Sequence, residues 1–552
     1  MAAWKGTWWR GEWGQERGDC AGPAGISAAL AFAKQNDLHG NPKYSITILE
    51  QKSTIGGRMV FDLNLDSLSF HGIEIEDVAS AELFSKGSVV RERAEEVFGV
   101  GVGARFEKGN GEGRGEVGFF DGKEMYAQVT RPGSDMGWGE WFALVFRYGG
   151  SVWRARHLAD GTEKMVAEML KAGSLQHQNR NGRMHLKQPE STLRGIVAAA
   201  GLGSVVGGGA QDRVEKNGIS DAYRKDILAP QVRRQLGQDV EELSEFAMRG
   251  ALEREYRGVS RSSTMGSFKS MMQKIVERSK AELQLKSRVV DARRGIGGLR
   301  GREGWLLDVR KGNGEMDVQF FDQVIVAAPC NFGTFLSDDT SRVDDGEQRE
   351  VFYRGVYVTF VLSTGMLDER YFGNAKPLPD EILISGKTEG RLNQKEKDIL
   401  GLREIAHVRR VYGPDILALE QEGDVEANAV HHLYRILSDH ALDDRRGNEI
   451  LKKMFGNNGR SVVAVKSTEV RDAYPLLWPR REGELGRFKV REGLWWTGVN
   501  EEVGSGVELA WVVSEVVAGL VGDENLDSGR EEPGDGWHRR EGGEWDRGTG
   551  RF

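Results

Sequence analysis

A glycine-rich turn near the start of the chain carries residue types suited to binding a phosphate group. The stretch RGDCAGPAGISAALAFAKQ, beginning at Arg17, places Cys20, Gly22 and Gly25 where a phosphate-binding turn usually has three glycines. Glycine lets the backbone approach a pyrophosphate, and the Ala-rich segment after it predicts a helix whose N-terminus faces the anion. Because Cys20 has a Cβ, it suits the tight turn poorly, so the first glycine of the pattern is missing.

Two later features extend this pattern. YSITILE is a β-branched run that predicts a buried parallel strand, and it ends in Glu50, whose carboxylate can accept hydrogen bonds from ribose hydroxyls. The following QKSTIGGRM supplies Gly57 and Arg58 in a second turn. Together with the glycine turn, these residues predict a dinucleotide-binding site.

The segment before the turn does not fit this picture. A central strand should lead into the turn, but WWRGEWGQER is charged, and unpaired charges in a doubly buried strand are costly. We therefore expect residues 1–19 to be unrelated to the rest of the chain and to replace a lost first strand, through an error in delimiting the coding sequence.

Elements of alternating type follow along the chain. FFDQVIVAAP (Phe320 to Pro329) predicts another buried strand, and GVELAWVVSEVVAGLV (Gly506 to Val521) has apolar residues at helical spacing. Between the two ends lies a helix-rich middle, from about Trp138 to Lys286. This order predicts an α/β protein in which a nucleotide-binding domain is assembled from separated segments and a second domain is inserted.

Composition excludes several classes of function. The 552 residues are 39% hydrophobic and 29% charged with a net charge of -8, so the chain has no basic footprint for nucleic acid. Two cysteines are too few for a disulfide framework or a thiolate metal site. An apolar run long enough to span a bilayer and a signal peptide are both missing from the sequence, which is typical of an intracellular protein.

Other residues that could form a functional motif do not predict a site. His431 and His432 are adjacent and should point in different directions, so we predict no metal site there. The arginines of VRRQLGQ and DARRG are predicted to be solvent-exposed. No GxSxG, CxxC, HExxH or P-loop pattern occurs.

The glycine turn, Glu50 and the Gly57-Arg58 turn resemble the start of FAD-binding oxidoreductases of the amine-oxidase type. That resemblance implies that Gly22 and Gly25 lie at the pyrophosphate turn, that Glu50 binds the adenosine ribose, and that Gly57 and Arg58 lie near the pyrophosphate. TGVNEEVGSGVELAW resembles the last FAD segment of this superfamily and adds Gly498 and Glu508 to the cofactor-binding residues. Helix capping alone would also explain Glu508.

Six further segments narrow the resemblance. Their order and spacing are similar to those of prenylcysteine oxidase, also called prenylcysteine lyase, over a region from about Cys20 to Val521. The segments are GFFDGKEMYAQ, GWGEWFALVFRYGGSVWRAR, KNGISDAYRKDILAPQVRRQLGQ, YVTFVLSTGMLDERYFG, DAYPLLWP and GLWWTGVNEEVGSGVELAWVVSEVVAGL.

The family implies an α/β fold with a Rossmann-like FAD-binding domain of amine-oxidase type, built from discontinuous segments, and an inserted helix-rich α+β substrate domain. We expect an atypical segment (1–19), an N-terminal FAD-binding region (20–135) and a lyase-like region (136–490) that includes the substrate domain and, near 287–330, a returning segment of the FAD domain. A C-terminal FAD segment (491–521) and a disordered tail (522–552) complete this division.

The family also implies a chemistry. Hydride leaves the allylic carbon beside sulfur in farnesyl- or geranylgeranyl-cysteine for FAD, water adds, and the adduct collapses to cysteine and a prenyl aldehyde, while O₂ becomes H₂O₂. The cofactor performs the hard step, so we name no catalytic side chain. The implied partners are a lipidic small molecule and O₂, with no nucleic acid and no transmembrane segment. Family members work in lysosomes or vacuoles, although this sequence shows no signal peptide.

A prenyl substrate requires a long apolar slot. Trp138, Trp141, Phe142, Val145 and Phe146 recur at helical spacing and could line it, as could Tyr474 of DAYPLLWP; ordinary core packing is the alternative for each of them. Two rival functions also stay open at this point. One is an amine or polyamine oxidase, which shares the FAD segments, and the other is a degenerate homologue that binds no flavin.

Overall fold

The fold is described from a computed structural model. It describes residues 21–39, 44–59, 89–98, 116–130, 138–173, 176–178, 184–186, 192–257, 268–297, 301–329, 351–373, 377–385, 399, 401–411, 430–456 and 461–527. The predictions for residues 1–19, for Cys20 and for the chain beyond 527 lie outside these ranges.

Helices and strands are numbered separately in chain order. The α-helices are α1 (Pro23–His39), α2 (Val89–Phe98), α3 (Trp138–Tyr148), α4 (Ser151–Ala159), α5 (Thr162–Gly173), α6 (Leu193–Ala199), α7 (Gly203–Val206), α8 (Ala210–Lys216), α9 (Asp221–Tyr223), α10 (Ala229–Leu236), α11 (Glu245–Arg257), α12 (Phe268–Ser279), α13 (Arg445–Met454) and α14 (Val507–Asp527). A π-helical turn, Arg224–Leu228, joins α9 to α10.

The strands are β1 (Thr47–Leu49), β2 (Glu116–Phe120), β3 (Met125–Thr130), β4 (Gln176–Gln178), β5 (Met184–Leu186), β6 (Glu282–Gln284), β7 (Ser287–Gly297), β8 (Arg302–Lys311), β9 (Met316–Phe321), β10 (Val324–Val326), β11 (Tyr353–Ser363), β12 (Glu381–Ile384), β13 (Leu402–Val411), β14 (His431–Ser438), β15 (Val462–Pro475), β16 (Lys489–Arg491) and β17 (Leu494–Trp496).

Parallel strand pairs join segments that lie far apart in sequence. β1 pairs with β6, and β10 pairs with β17, both in parallel. Helices α1 and α14 pack beside these strands, and the Ser27 hydroxyl of α1 donates to the Trp511 carbonyl of α14 at 2.9 Å. Parallel strands need long crossover connections, which is why this layer draws on both ends of the chain.

A seven-stranded sheet forms the second layer, with strand order β15-β11-β14-β13-β12-β2-β3. Its neighbours pair antiparallel except β12 with β2, which are parallel. Val356, Val358 and Phe360 alternate along β11, and all three are buried on one face of the sheet. Helices α3, α4, α8, α9, α10 and α11 build a separate apolar core that includes Leu228 and Met248, whereas α5, α6 and α7 pack into the core of the parallel-strand layer.

The structure confirms the α/β class and the assembly of the parallel strands from discontinuous segments. Three details differ from the predictions. The strand expected over 320–329 is split, because β9 ends at Phe321 and β10 begins at Val324. Helix α14 continues through Asp527, so residues 522–527 are helical and do not belong to a disordered tail. In VRRQLGQ, Arg234 is buried instead of exposed.

Within the described residues, no helix is long and apolar enough to cross a bilayer.

Candidate functional site

A cavity of about 280 Å³ lies between the parallel-strand layer and one face of the seven-stranded sheet. The N-terminal ends of α1 and α14 reach it through Gly22 and Gly506, and the sheet contributes Val356 and Leu437. Helix N-termini carry partial positive charge and unpaired amides, so this wall of the cavity is suited to an anion.

The glycine turn is closely packed against the second turn. Gly57 has φ +59°, and a Cβ built on it would lie 2.9 Å from the Gly22 Cα. The Gly56 amide donates to the Ala21 carbonyl at 2.8 Å and holds the two turns together. Glycine at 57 is therefore required both by its backbone conformation and by the approach of Gly22.

Glu50 stabilises the same glycine turn by accepting hydrogen bonds from backbone amides. It is fully buried at the end of β1, and its carboxylate accepts the Ala21 amide at 2.7 Å and the Lys52 amide at 2.8 Å. These two bonds tie the loop before α1 to the end of the strand. In this structure the carboxylate predicted to bind ribose is a structural anchor of the glycine turn.

Arg58 extends from the Gly57 turn to the C-terminal segment. Its guanidinium contacts the Glu501 carboxylate and donates to the Asp472 carbonyl at 2.9 Å. The Tyr353 hydroxyl donates to the same carboxylate. Burial, together with the negative charge of Glu501, raises the pKa of Tyr353 well above its ordinary value, so the phenol stays protonated. Arg58 and Glu501 both line the cavity.

The sheet supplies a largely apolar floor. Val358 of β11 pairs with Leu437 of β14, and Val356 pairs with Val470 of β15; all four line the cavity. Tyr474 closes one side, and its hydroxyl donates to the Arg234 carbonyl at 3.2 Å. Burial raises the pKa of Tyr474, which keeps its hydroxyl a neutral donor.

A hydrogen-bonded chain of charged side chains crosses the cavity wall. Arg254 Nε donates to Gln235 Oε1 at 3.1 Å, and Gln235 Nε2 donates to Glu255 Oε1 at 2.6 Å. Arg234 Nε also donates to Glu255, at 3.0 Å. Arg234 Nη1 reaches Glu404 Oε1 at 3.3 Å.

Two further contacts complete this chain. Arg435 Nη2 donates to Glu404 Oε2 at 3.0 Å, and Arg234 Nη1 donates to Glu381 Oε2 at 2.7 Å. Burial opposes the charge of Arg234, but the carboxylates of Glu255, Glu381 and Glu404 outweigh it, so the pKa of Arg234 lies well above its ordinary value. We call the set of Arg234, Gln235, Arg254, Glu255, Glu381, Glu404 and Arg435 the charged wall.

The structure brings half of the predicted site residues to this cavity. Those that line it are Gly22, Gly57, Arg58, Gly498 and Tyr474. Gly25 lies in the first turn of α1, and Glu50 lies behind the glycine turn. Glu508, in the first turn of α14, accepts the Val89 amide at 2.8 Å through its carboxylate.

The aromatic helix lies elsewhere. Trp141 is half-buried and packs edge-to-face on Trp153 at 4.4 Å, while Phe142 and Phe146 are 63% and 96% exposed. They are not among the described residues of the cavity wall, and the side chain of Trp138 lies outside what the structure describes. The role of Trp138 and Trp141 in substrate binding stays a prediction.

Sequence reasoning missed the charged wall and the apolar floor. Arg234, Glu404 and Arg435 lie on α10, β13 and β14, so their meeting depends on how the sheet is ordered. The alternating apolar residues of β11 are a sequence signal for a buried sheet face, but nothing in the sequence shows what lies against that face.

Comparisons with known proteins show the family. Solved structures to which the chain is similar include putrescine oxidase (11% identity, TM-score 0.48, covering 92% of this chain and 97% of that one) and a fatty acid isomerase from P. acnes (10%, 0.44, 90% and 95%). Another is an oxidoreductase from Methanosarcina mazei (12%, 0.44, 92% and 98%). No curated protein matches. The family model of prenylcysteine lyase matches residues 133–530, which is most of the chain. This chain therefore belongs to the prenylcysteine lyase family.

Proposed function

We propose that the chain is an FAD-dependent oxidoreductase that cleaves the thioether of prenyl-L-cysteine. The overall reaction is prenylcysteine plus O₂ and water giving cysteine, the prenyl aldehyde and H₂O₂. The observation that carries the proposal is the cavity itself, where two helix N-termini face an apolar sheet floor in a chain of this family.

The residues present fit a dinucleotide. Gly22 and Gly57 are in close backbone contact at the cavity wall, where a Cβ on Gly57 would strike Gly22, and the N-terminal ends of α1 and α14 meet at the same cavity. In the proposal, Gly22, Gly57, Gly498 and Arg58 hold the cofactor directly, because they line the cavity. Glu50 anchors the turn that leads into α1, Gly25 lies in the first turn of α1, and Glu508 joins the first turn of α14 to the first amide of α2.

FAD, when bound, supplies a hydride acceptor and passes the electrons to O₂. The chain's own residues then have two tasks. Val356, Val358, Leu437 and Val470 offer apolar contacts to the prenyl chain, and this floor limits bulk water in the cavity while admitting the one water that the reaction consumes. No side chain has to act as a general acid or base in this scheme.

The charges of the cavity argue against an amine oxidase. A bare substrate ammonium would need an unpaired carboxylate or an aromatic cage. Glu404 is the carboxylate of the charged wall that lines the cavity, and it is neutralised by Arg234 and Arg435. Glu501 is likewise paired with Arg58.

The test begins with purified protein supplied with excess FAD. We expect a flavin absorbance that stays with the protein after gel filtration, and H₂O₂ release with S-farnesyl-L-cysteine but not with putrescine or spermidine. A folded protein that retains no flavin would refute the proposal, and so would a flavin-loaded protein that oxidises the amines and leaves the thioether intact.

A further inference from the structure

The charged wall contains more charge than the fold requires. Arg234, Glu381 and Glu404 keep 5%, 7% and 1% of their side chains exposed. A buried ion network contributes little to stability compared with apolar residues of the same volume, because desolvation offsets the attraction. A network of this kind beside a cavity is therefore a candidate for binding a ligand.

The charges of the wall sum to zero. Arg234, Arg254 and Arg435 contribute three positive charges, and Glu255, Glu381 and Glu404 contribute three negative charges. A balanced set of fixed charges is matched by a ligand that is itself neutral overall but carries both signs. A free α-amino acid is such a ligand, whereas an amine or a carboxylic acid alone is not.

Arg435 of the charged wall has a buried hydrogen-bond donor without a partner among the described residues. It is 8% exposed and lines the cavity, its Nη2 is bonded to Glu404, and its buried Nε has no hydrogen-bond partner in the described part of the chain. Buried donors without a partner are rare and costly, and a guanidinium edge of this kind matches a carboxylate. The cavity side of Arg435 is therefore suited to an anionic oxygen.

The apolar floor adjoins this group. Leu437 follows Arg435 by two positions on β14, so both side chains lie on one face of the sheet, and Val358 pairs directly with Leu437. A ligand that lies across the two strands meets a charged end and an apolar end in succession. An S-alkylated cysteine with a long hydrocarbon chain has the same arrangement, with a charged amino-acid end and an apolar end.

We infer that the charged wall binds the amino-acid end of the thioether substrate, with Arg435 receiving the α-carboxylate. This inference rests on the proposed function, since it names the part of the substrate that the cavity recognises. Arg435 is then a specificity-determining residue: it distinguishes a free amino acid from its ester and leaves the contacts of the prenyl chain to Val358 and Leu437.

The experiment compares FAD-supplied wild type with Arg435→Met and Arg435→Lys. Arg249→Met is the matched control, since the Arg249 side chain is only 12% exposed, is paired with Glu245 and has a buried Nε without a partner among the described residues, but is not among the residues that line the cavity. Calorimetry measures the binding of S-hexadecyl-L-cysteine, which lacks an allylic carbon and is not expected to react, and of its methyl ester. The KM of H₂O₂ release is measured with S-farnesyl-L-cysteine and its methyl ester.

We expect wild type to prefer the acids over the esters, and Arg435→Met to weaken binding and raise KM for the acids by roughly 10- to 100-fold, with little change for the esters. Arg435→Lys keeps the charge and the pairing with Glu404 but removes the Nε donor, so it should lose part of the preference. The Arg249→Met control should keep the wild-type ratio of acid to ester.

Each other outcome overturns the inference. Equal losses for acid and ester in Arg435→Met would assign Arg435 to folding alone, as would the same loss of preference in Arg249→Met. A wild type that oxidises farnesylcysteine without preferring it over the ester would refute the inference and leave the proposed function standing. A wild type that binds neither FAD nor either lipid amino acid would refute both.

Discussion

Gly57→Ala is the substitution whose effect the structure defines most closely. At φ +59° an alanine costs about 1 kcal/mol in backbone strain alone. Its Cβ would also lie 2.9 Å from the Gly22 Cα, so one of the two turns must move by about half an ångström to restore an ordinary contact. Gly22 directly precedes α1, and the displacement is therefore passed to the amides that we propose hold the cofactor.

The magnitude follows from hydrogen-bond geometry. A charge-assisted bond from an amide to a phosphate contributes about 1.5–3 kcal/mol, and a half-ångström lengthening from the usual 2.9 Å removes most of it. We therefore expect Gly57→Ala to weaken FAD binding by roughly 10- to 100-fold. Quenching of FAD fluorescence on titration with the protein measures the dissociation constant.

Gly149→Ala is the matched control. Gly149 has φ +57°, and nothing lies within 4 Å of a Cβ built on it. It should therefore carry the same backbone strain without disturbing the cavity, and bind FAD as wild type does. If Gly57→Ala bound FAD as tightly as Gly149→Ala, the close approach of Gly22 would have no part in cofactor binding and the reasoning would be refuted.

Two further predictions concern pairs of charged or titratable side chains. Glu501→Gln leaves the partly buried guanidinium of Arg58 without its carboxylate, so urea denaturation should show a loss of about 1–3 kcal/mol in unfolding free energy; no loss would mean that the pair contributes nothing. Burial, and then the neighbouring His407 ring, lower the pKa of His432 from 6.5 to about 4. The unfolded chain therefore binds a proton between these values that the folded chain does not, so wild type loses stability as pH falls through this window. His432→Gln should remove about 2 kcal/mol of that loss, measured by urea denaturation at pH 7 and about pH 4.5, and an unchanged pH dependence would contradict the shift.

Local sequence patterns were sufficient to predict the glycine turn and the strand that ends in Glu50. The β-branched run over Thr47–Leu49 and the Ala-rich α1 are determined by residues close together in sequence, so propensity and periodicity were sufficient. The family resemblance placed Gly22 and Gly57 near the same pyrophosphate, but it did not predict the direct contact between them.

The charged wall could not be predicted from local sequence patterns. Arg234 looked like an exposed arginine on a polar helix, since its neighbours Arg233 and Gln235 are polar. Its burial comes from Glu381 and Glu404, which reach it only through the pairing of β12 with β13. Similarly, the apolar spacing of α3 predicted a buried stripe, but among the residues that the structure describes no element covers Phe146 and the cavity does not include it.

The pairing of Ser27 with Trp511 spans 484 residues. A chain still being synthesised has α1 long before it has the helix that α1 packs against, because α14 comes last in the described sequence. A chain that stops before residue 507 would contain every strand of the seven-stranded sheet but would lack α14, and with it one of the two helix N-termini to which the proposed function assigns the cofactor.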